Sequence, residues 1–315
     1  MKRLSQTSRW IRAAAFLSCA FSAAAQPSQP RDSLEGPPFV SCKAWAIVDG
    51  KTGKFIEGFN ADKGLKAAST TKIMCAYVIL QLAKDNRSVL KETVTFSKTA
   101  DETVGSTSSI REGESLTVGQ CLYALMLPSG NDAGNALAEH FNDRLQPPGA
   151  NDAPLDKTYR NAPTAPRRNF IAEMNRVARR LEMTNTVYRT PFGDGGGDDA
   201  HTTSARDLIR LATLAMKEPV FRKVVGTRRH ECEVADGNGG RRTLVWENTN
   251  ELLKIEGYDG VKTGTNTGAG ACLVASVRRG RDHLLCVVLN SSSRSGRYVD
   301  ARNLLRWGLV RRGKH

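Results

Sequence analysis

The run from Ser41 to Gly64, "SCKAWAIVDGKTGKFIEGFNADKG", alternates apolar and polar positions on both sides of the turn Asp49-Gly-Lys-Thr-Gly53, and so predicts a β-hairpin. Next comes "KAASTTKIM", Lys66 to Met74, leading straight into the apolar "CAYVILQLA", which predicts a helix beginning near Ser69. Residues 94–145 read as loops and short helices, with "VGQCLYALML" the most apolar of them, and the proline-rich stretch 146–168 reads as a loop. "NFIAEMNRVARRLEM" and "TSARDLIRLATLAM" repeat their apolar residues at helical spacing. After about residue 222 the pattern changes: "VVGTRRHECEV", "RRTLVWENTN", "GACLVASVRRG" and "HLLCVVLNSS" read as strands, and "YVDARNLLRWGLVRR" as a closing helix. No internal repeat is visible.

Strands at both ends with helices between them predict an α+β fold. The expected architecture is one antiparallel sheet with flanking helices, built from about 39–66 and 222–312, with a helical lobe inserted over about 67–221. A cleft between sheet and lobe is the expected place for a site.

The first 25 residues change the picture of where the protein works. Lys2, Arg3, Arg9 and Arg12 precede the apolar Ala13–Ala25, which is too short to span a bilayer, and Ala23-Ala-Ala25 is a small-residue cleavage site. This predicts a signal peptide at 1–25, a flexible lead-in at 26–38 and a catalytic domain at 39–312, exported to the periplasm or cell envelope. An uncleaved anchor, or a lipoprotein signal at Leu17-Ser-Cys19, are the alternatives; no other strong membrane anchor is expected. The segment carries four basic residues and no acidic ones, so its removal lowers the net charge from +14 to +10. A basic exported protein suits an anionic surrounding such as wall or lipid headgroups. Nucleic acid is not expected, since the arginines are spread rather than striped and no binding motif is present. Of the six cysteines beyond the signal, Cys75, Cys121, Cys272 and Cys286 lie in apolar runs and read as buried free thiols, while Cys42 and Cys232 leave pairing open. The five histidines show no zinc-ligand spacing, so neither metal nor cofactor is expected.

Candidate chemistry begins with Ser69 and Lys72. Positions i and i+3 share a helix face, and a lysine there can take the proton of a serine nucleophile. Ser69 as a mere helix cap is the competing reading, and Ser88-Val-Leu-Lys91 is a second copy of the spacing. Two further elements follow in order. Ser129-Gly-Asn131 comes after the apolar segment ending at Leu127, and Lys262-Thr-Gly264 opens a predicted strand. A second Lys-Thr-Gly, at 51–53, falls in the hairpin turn ahead of the serine and is set aside.

Taken together in this order, S-x-x-K, S-x-N and K-T-G resemble the motif set of penicillin-binding proteins and class A β-lactamases. From about Ala44 to Trp307 the chain resembles the D-alanyl-D-alanine carboxypeptidases, the low-molecular-mass penicillin-binding proteins. "NTNELL", "TSARDLIRLA" and "SRSGRYVDARNLLRWG" add to that resemblance. It implies the sheet-plus-lobe fold and an acyl-enzyme on Ser69, with Lys72 as its base and Ser129 relaying a proton to the leaving amine. It further implies Asn131 bonded to substrate amides, Lys262 adding charge, Thr263 meeting a carboxylate, Gly264 completing the motif, and backbone N–H groups of Ser69 and Thr265 forming an oxyanion hole. Arg297 resembles an arginine near the substrate carboxylate, with a surface arginine as the equal alternative; His201 resembles a structural histidine.

The implied substrates are peptidoglycan stem peptides ending in D-Ala-D-Ala, with β-lactams as covalent inhibitors. A DD-endopeptidase of cross-links, a serine β-lactamase and a catalytically silent wall-binding protein are the alternatives. Two features disfavour the β-lactamase: residues 140–172 contain no Glu to serve as deacylation base, and Gly130 stands where that class usually has Asp. The 146–168 loop reads as an insertion, exposed to solvent.

Overall fold

The computed structural model describes residues 36–150, 166–193, 202–236 and 239–312. The expected signal segment, residues 151–165 of the proline-rich loop and His201 lie outside them.

The predicted hairpin is present as strands β1 (Ala44–Asp49) and β2 (Phe55–Phe59). The Asp49 carboxylate caps its turn by accepting from the N–H groups of Lys51 and Thr52 at 2.8 and 2.7 Å. The short strands β3 (Thr93–Thr95) and β4 (Ser115–Thr117) follow, then β5 (Arg229–Ala235), β6 (Arg241–Glu247), β7 (Tyr258–Asn266), β8 (Gly270–Arg279) and β9 (Asp282–Ser291). The helices are α1 (Lys72–Leu82), α2 (Lys98–Asp101), α3 (Val118–Met126), α4 (Asn131–Phe141), α5 (Arg168–Arg180), α6 (Ala205–Ala215), α7 (Pro219–Gly226) and α8 (Gly296–Arg312).

The main sheet is antiparallel, in the order β2-β1-β9-β8-β7. Its central strands are buried on both faces, as the unbroken run His283–Leu289 shows. One face packs on α8 through Ala301, Leu304 and Leu305; the other packs on α6. Coverage on both sides explains why these strands read as continuous apolar runs rather than as alternation.

The expectation of a single sheet is corrected in one place. Val224–Gly226 end helix α7, begun by Pro219 at its first turn, instead of opening a strand. Strands β5 and β6 then pair with each other, and a second sheet forms in the order β3-β4-β5-β6. The cause is visible in β5, where Arg229, Glu231 and Glu233 are exposed while Cys232 and Val234 are buried. Such a strand has one dry face only and cannot enter the two-sided layer beside β8.

Helix α1 runs through the middle of the helical lobe, touching α3, α4, α5, α6 and α7. Apolar residues surround its axis, the pattern of a fully enclosed helix. Thr117 and Ser204 cap α3 and α6 through their side-chain oxygens.

All six cysteines from Cys42 onward are free and buried. Burial raises the thiols of Cys42 and Cys75 to about 12 and that of Cys272 to about 11, leaving almost no reactive thiolate at neutral pH. In the folded protein these six thiols are expected to resist a water-soluble disulfide reagent, and to react together once denaturant is added. Rapid labelling of any one of them under native conditions would contradict this burial.

Candidate active site

Ser69 lies in a 3-10 turn, Ala68–Thr71, that runs directly into α1. The Ser69–Lys72 spacing therefore works through three residues per turn, and positions i and i+3 eclipse more closely than on an α-helix. Lys72 is completely enclosed, and its Nζ donates to Ser69 Oγ at 3.0 Å, to Asn131 Oδ1 at 2.6 Å and to the Phe192 carbonyl at 3.2 Å. Ser69 makes no helix-capping bond; the cap residues of the turn and of α1 are Ala67 and Thr71, neither through its side chain. The second copy of the spacing is inert by comparison. Ser88 is exposed and bonds to Asn86.

The turn is under local constraint. Ala68 has φ +46, a region costing an alanine about 1–2 kcal/mol. Gly193 presses on it so closely that a Cβ there would stand 2.0 Å from the Ala68 carbonyl oxygen. Strain of this kind persists where surrounding packing enforces it, commonly at functional sites.

Ser129 sits between α3 and α4 with φ +68, also left-handed. Its Oγ is buried and has no hydrogen-bond partner among the described residues. A buried hydroxyl without a partner calls for a water or ligand atom. Asn131 serves the lysine. It is fully buried at the start of α4, with its carbonyl oxygen on Lys72 and its amide nitrogen donating to the Val104 carbonyl at 2.8 Å.

The remaining groups come from the sheet. Strand β7 lies at its edge and meets the Ser69 turn. At Gly264 the approach is so close that a Cβ would stand 2.6 Å from the Ala67 oxygen and 3.1 Å from the Ser69 nitrogen. Lys262, two residues earlier on the same strand face, is 1% exposed and its Nζ donates to the Thr263 carbonyl at 3.1 Å. Loss of hydration, reinforced by the charges of Lys72 and Arg297, pushes its ammonium well below the ordinary 10.5.

Thr263 and Thr265 point to the opposite face of the strand. Thr263 Oγ1 shares a hydrogen bond with Thr249 Oγ1 at 2.8 Å. Arg297 Nη1 donates to Thr265 Oγ1 at 2.8 Å and to the Gly264 carbonyl at 3.3 Å. Its Nη2 donates to Tyr298 Oη at 3.0 Å, and that hydroxyl donates to the Thr249 carbonyl at 2.8 Å. Arg297 is 6% exposed, which removes the surface-arginine reading. Among the described residues neither Arg297 nor Lys262 has a carboxylate within ion-pair distance, and Arg297 Nε is buried without a partner.

Thr249, Tyr298 and the Val104 and Phe192 carbonyls were not singled out by sequence reading. Thr249 lies in "NTNELL" and Tyr298 adjoins Arg297, so both carried a faint signal; a carbonyl carries none.

A serine held against a fully buried lysine amine is the arrangement of a serine hydrolase. The chain belongs to the D-alanyl-D-alanine carboxypeptidase family, peptidase S11, which matches residues 31–144 and 164–293. The match breaks between 144 and 164, a stretch that largely overlaps the 146–168 loop read as an insertion. The D-alanyl-D-alanine carboxypeptidase of Streptomyces sp. strain K15 is 33% identical over 287 residues, 89% of this chain and 91% of that protein. The DacC D-alanyl-D-alanine carboxypeptidase of Escherichia coli K12 is 30% identical over 278 residues, 86% of this chain and 62% of its own length. Among solved structures, the Streptomyces K15 DD-transpeptidase superposes with a TM-score of 0.76 at 33% identity, covering 87% of this chain and 99% of that one. Penicillin-binding protein 6B of E. coli gives 0.70 at 29% identity, covering 87% and 79%.

The unpaired ammonium of Lys262 sets up a measurable opposition between stability and activity. Its folded-state pKa is depressed, so the unfolded chain binds the extra proton. The cost is full below the folded-state pKa and disappears as pH rises to the ordinary 10.5. Lys262→Met is expected to raise stability at pH 7 by about 1–3 kcal/mol while lowering catalytic turnover. The stability gain should shrink toward pH 10.5. Denaturant unfolding at the two pH values checks this, and a destabilised Lys262→Met at pH 7 contradicts it.

Proposed function

We propose that the protein cleaves the terminal D-alanyl-D-alanine bond of peptidoglycan stem peptides through an acyl-enzyme on Ser69, in the periplasm or cell envelope. The observation that carries this reading is the 3.0 Å contact between Ser69 Oγ and an amine with no solvent exposure. A proton can pass along that contact without leaving the protein.

In the first half-reaction Ser69 Oγ attacks the carbonyl of the penultimate residue and its proton moves to Lys72 Nζ, which must be neutral at that moment. Two buried ammonium groups, Lys72 and Lys262, repel one another, so release of one proton relieves the pair. The backbone N–H groups of Ser69 and Thr265 receive the developing oxyanion; one such donor is worth roughly 3–4 kcal/mol in the barrier. The bare Gly264 keeps the space beside the Ser69 nitrogen clear. The leaving D-alanine amine takes a proton by way of Ser129, whose Oγ has no other engagement among the described residues. The substrate's terminal carboxylate meets the hydroxyls of Thr263 and Thr265 and the charge of Arg297, while Lys262 adds its positive field from the other face of β7. A carboxylate there supplies the counter-ion that Arg297 lacks.

In the second half-reaction water attacks the Ser69 ester, and D-alanine has by then diffused away. A β-lactam forms the same ester, but its amine stays tethered and obstructs the water. A β-lactamase provides a second base, and residues 140–172 offer no Glu for it. Gly130 supports the peptidase reading too. A Cβ there would stand 2.5 Å from Asp132 Oδ1 and 2.9 Å from the Ala124 oxygen, so the Asp usual in β-lactamases has no room.

Mass spectrometry of defined muropeptides tests the reaction. The expected product is the stem peptide shortened by one D-alanine, absent with Ser69→Ala; cleavage of cross-links alone would replace carboxypeptidase by endopeptidase. Penicillin is expected to label Ser69 and to stay for minutes or longer, since each tenfold loss in deacylation corresponds to only about 1.4 kcal/mol. Intact-mass measurement of the acyl-enzyme lifetime checks this. Turnover of many penicillins per second contradicts the peptidase reading.

A further inference from the structure

We infer that Asp132 is a positioning residue for Lys72, acting through the segment 104–109 and the amide of Asn131. The inference rests on the reading that Ser69 is acylated with Lys72 as its base.

Asp132 is completely buried, one residue after Asn131 in the first turn of α4. Among the described residues its carboxylate has no cationic partner, and the donors that meet it are neutral. Thr107 Oγ1 donates at 2.8 Å, Ser108 Oγ at 2.9 Å, and the Ser108 N–H is shared between both oxygens at 2.9 and 2.8 Å. The Ala133 N–H adds a fourth donor at 2.9 Å. A buried carboxylate is costly unless hydrogen-bonded, and an acceptor-only group is what a ring of donors requires. Helix capping alone accounts for the Ala133 bond and the favourable helix dipole. It does not account for three donors from a segment more than twenty residues earlier.

That segment has no helix or strand of its own, and its other ties lead to the active site. The Asn131 N–H donates to the Ser106 carbonyl at 2.7 Å, and Asn131 Nδ2 to the Val104 carbonyl at 2.8 Å. The second bond decides which end of the Asn131 amide faces Lys72. With Nδ2 held by Val104, the oxygen is presented to the amine at 2.6 Å. If the segment shifts, the amide is free to turn its NH2 toward the amine, donor against donor, and Lys72 loses an acceptor that aims it at Ser69. The bare Gly130 belongs to the same device, since Asp132 Oδ1 and the Ser108 Cβ stand 2.5 and 2.9 Å from where its Cβ would be. The tetrapeptide Ser129-Gly-Asn-Asp132 thus divides its work: a free hydroxyl, a space, an amide on the lysine and a clamp on the segment that orients that amide.

The test is a double-mutant cycle read by penicillin acylation of Ser69 and by D-alanine release, with circular dichroism and thermal unfolding to establish folding. Asp132→Asn keeps the shape but turns a donor toward donors. It is expected to lower the acylation rate and kcat about 10–100-fold, with KM for the peptide nearly unchanged because the carboxylate-binding groups on β7 are untouched. In an Asn131→Ala background the same change should cost less than about threefold further, because the two residues act as one unit. If Asp132→Asn fails to fold, the Thr107→Val, Ser108→Ala variant, which keeps the carboxylate and removes two of its donors, goes through the same cycle. Folded variants that acylate at the wild-type rate, or losses that multiply independently of Asn131, overturn the inference. An unmodified Ser69 in the wild-type protein overturns instead the acyl-enzyme reading beneath it.

Discussion

The constraint on which the rest depends is the burial of one amine. Lys72 begins the central helix of the helical lobe with no solvent contact, so every group it needs must be supplied by protein. Ser69, Asn131 and the Phe192 carbonyl supply acceptors from separate parts of the chain. Each delivery has its own backbone requirement: a left-handed alanine before Ser69, a glycine at 193 that lets its loop rest on that alanine, and a segment around Val104 tied down so that the Asn131 amide points one way. Because α1 is enclosed all round, the amine cannot escape to solvent by a rotamer change, as a surface lysine does.

Around that amine the charges are arranged against stability. Lys262 and Arg297 are buried near it, while Glu114 pairs with Arg242, Asp259 with Arg278 and Glu92 with Arg144. A chain with 32 acidic residues has had ample opportunity to neutralise the site and has not done so. The field left over is directed at an anion brought from outside, in keeping with the carboxylate-terminated peptides of the proposed reaction. Hydroxyls on β7 and the fork of Arg297 give that field a shape.

Much of this was legible from residues alone, for identifiable reasons. The hairpin around Asp49 announced itself by two apolar-rich runs flanking an Asp-Gly-Lys-Thr-Gly turn, and the three short motifs each fell on the kind of element their chemistry needs. The 3-10 turn at Ser69 was read as the start of an α-helix because both place i and i+3 on one side. The second sheet was missed because strands β3 and β4 are three residues each, too short for any periodicity. The bond from Lys72 to Asn131 was not foreseen, because an amide side chain looks the same in sequence whether it faces a ligand or a lysine. What separates the two cases is a backbone carbonyl at Val104, and carbonyls have no letter. Arg297 stood evenly between an arginine near the substrate carboxylate and a surface arginine until its burial against Thr265 removed the second.

The pairing of β1 with β9, Ala44 opposite Leu289, ties the start of the described chain to its end. Most of the helical lobe, with Ser69, Lys72 and Asn131, leaves the ribosome well before β7, β8 and β9. The first hairpin has to wait for β9 before its inner edge is covered, and contacts of such long sequence separation form late and slowly. The nucleophile and its base are therefore made early, but the strand that flanks them and carries Lys262 is made near the end. An interrupted or truncated chain holds the reactive pair without the edge it works against, so completeness of synthesis is itself a condition for activity.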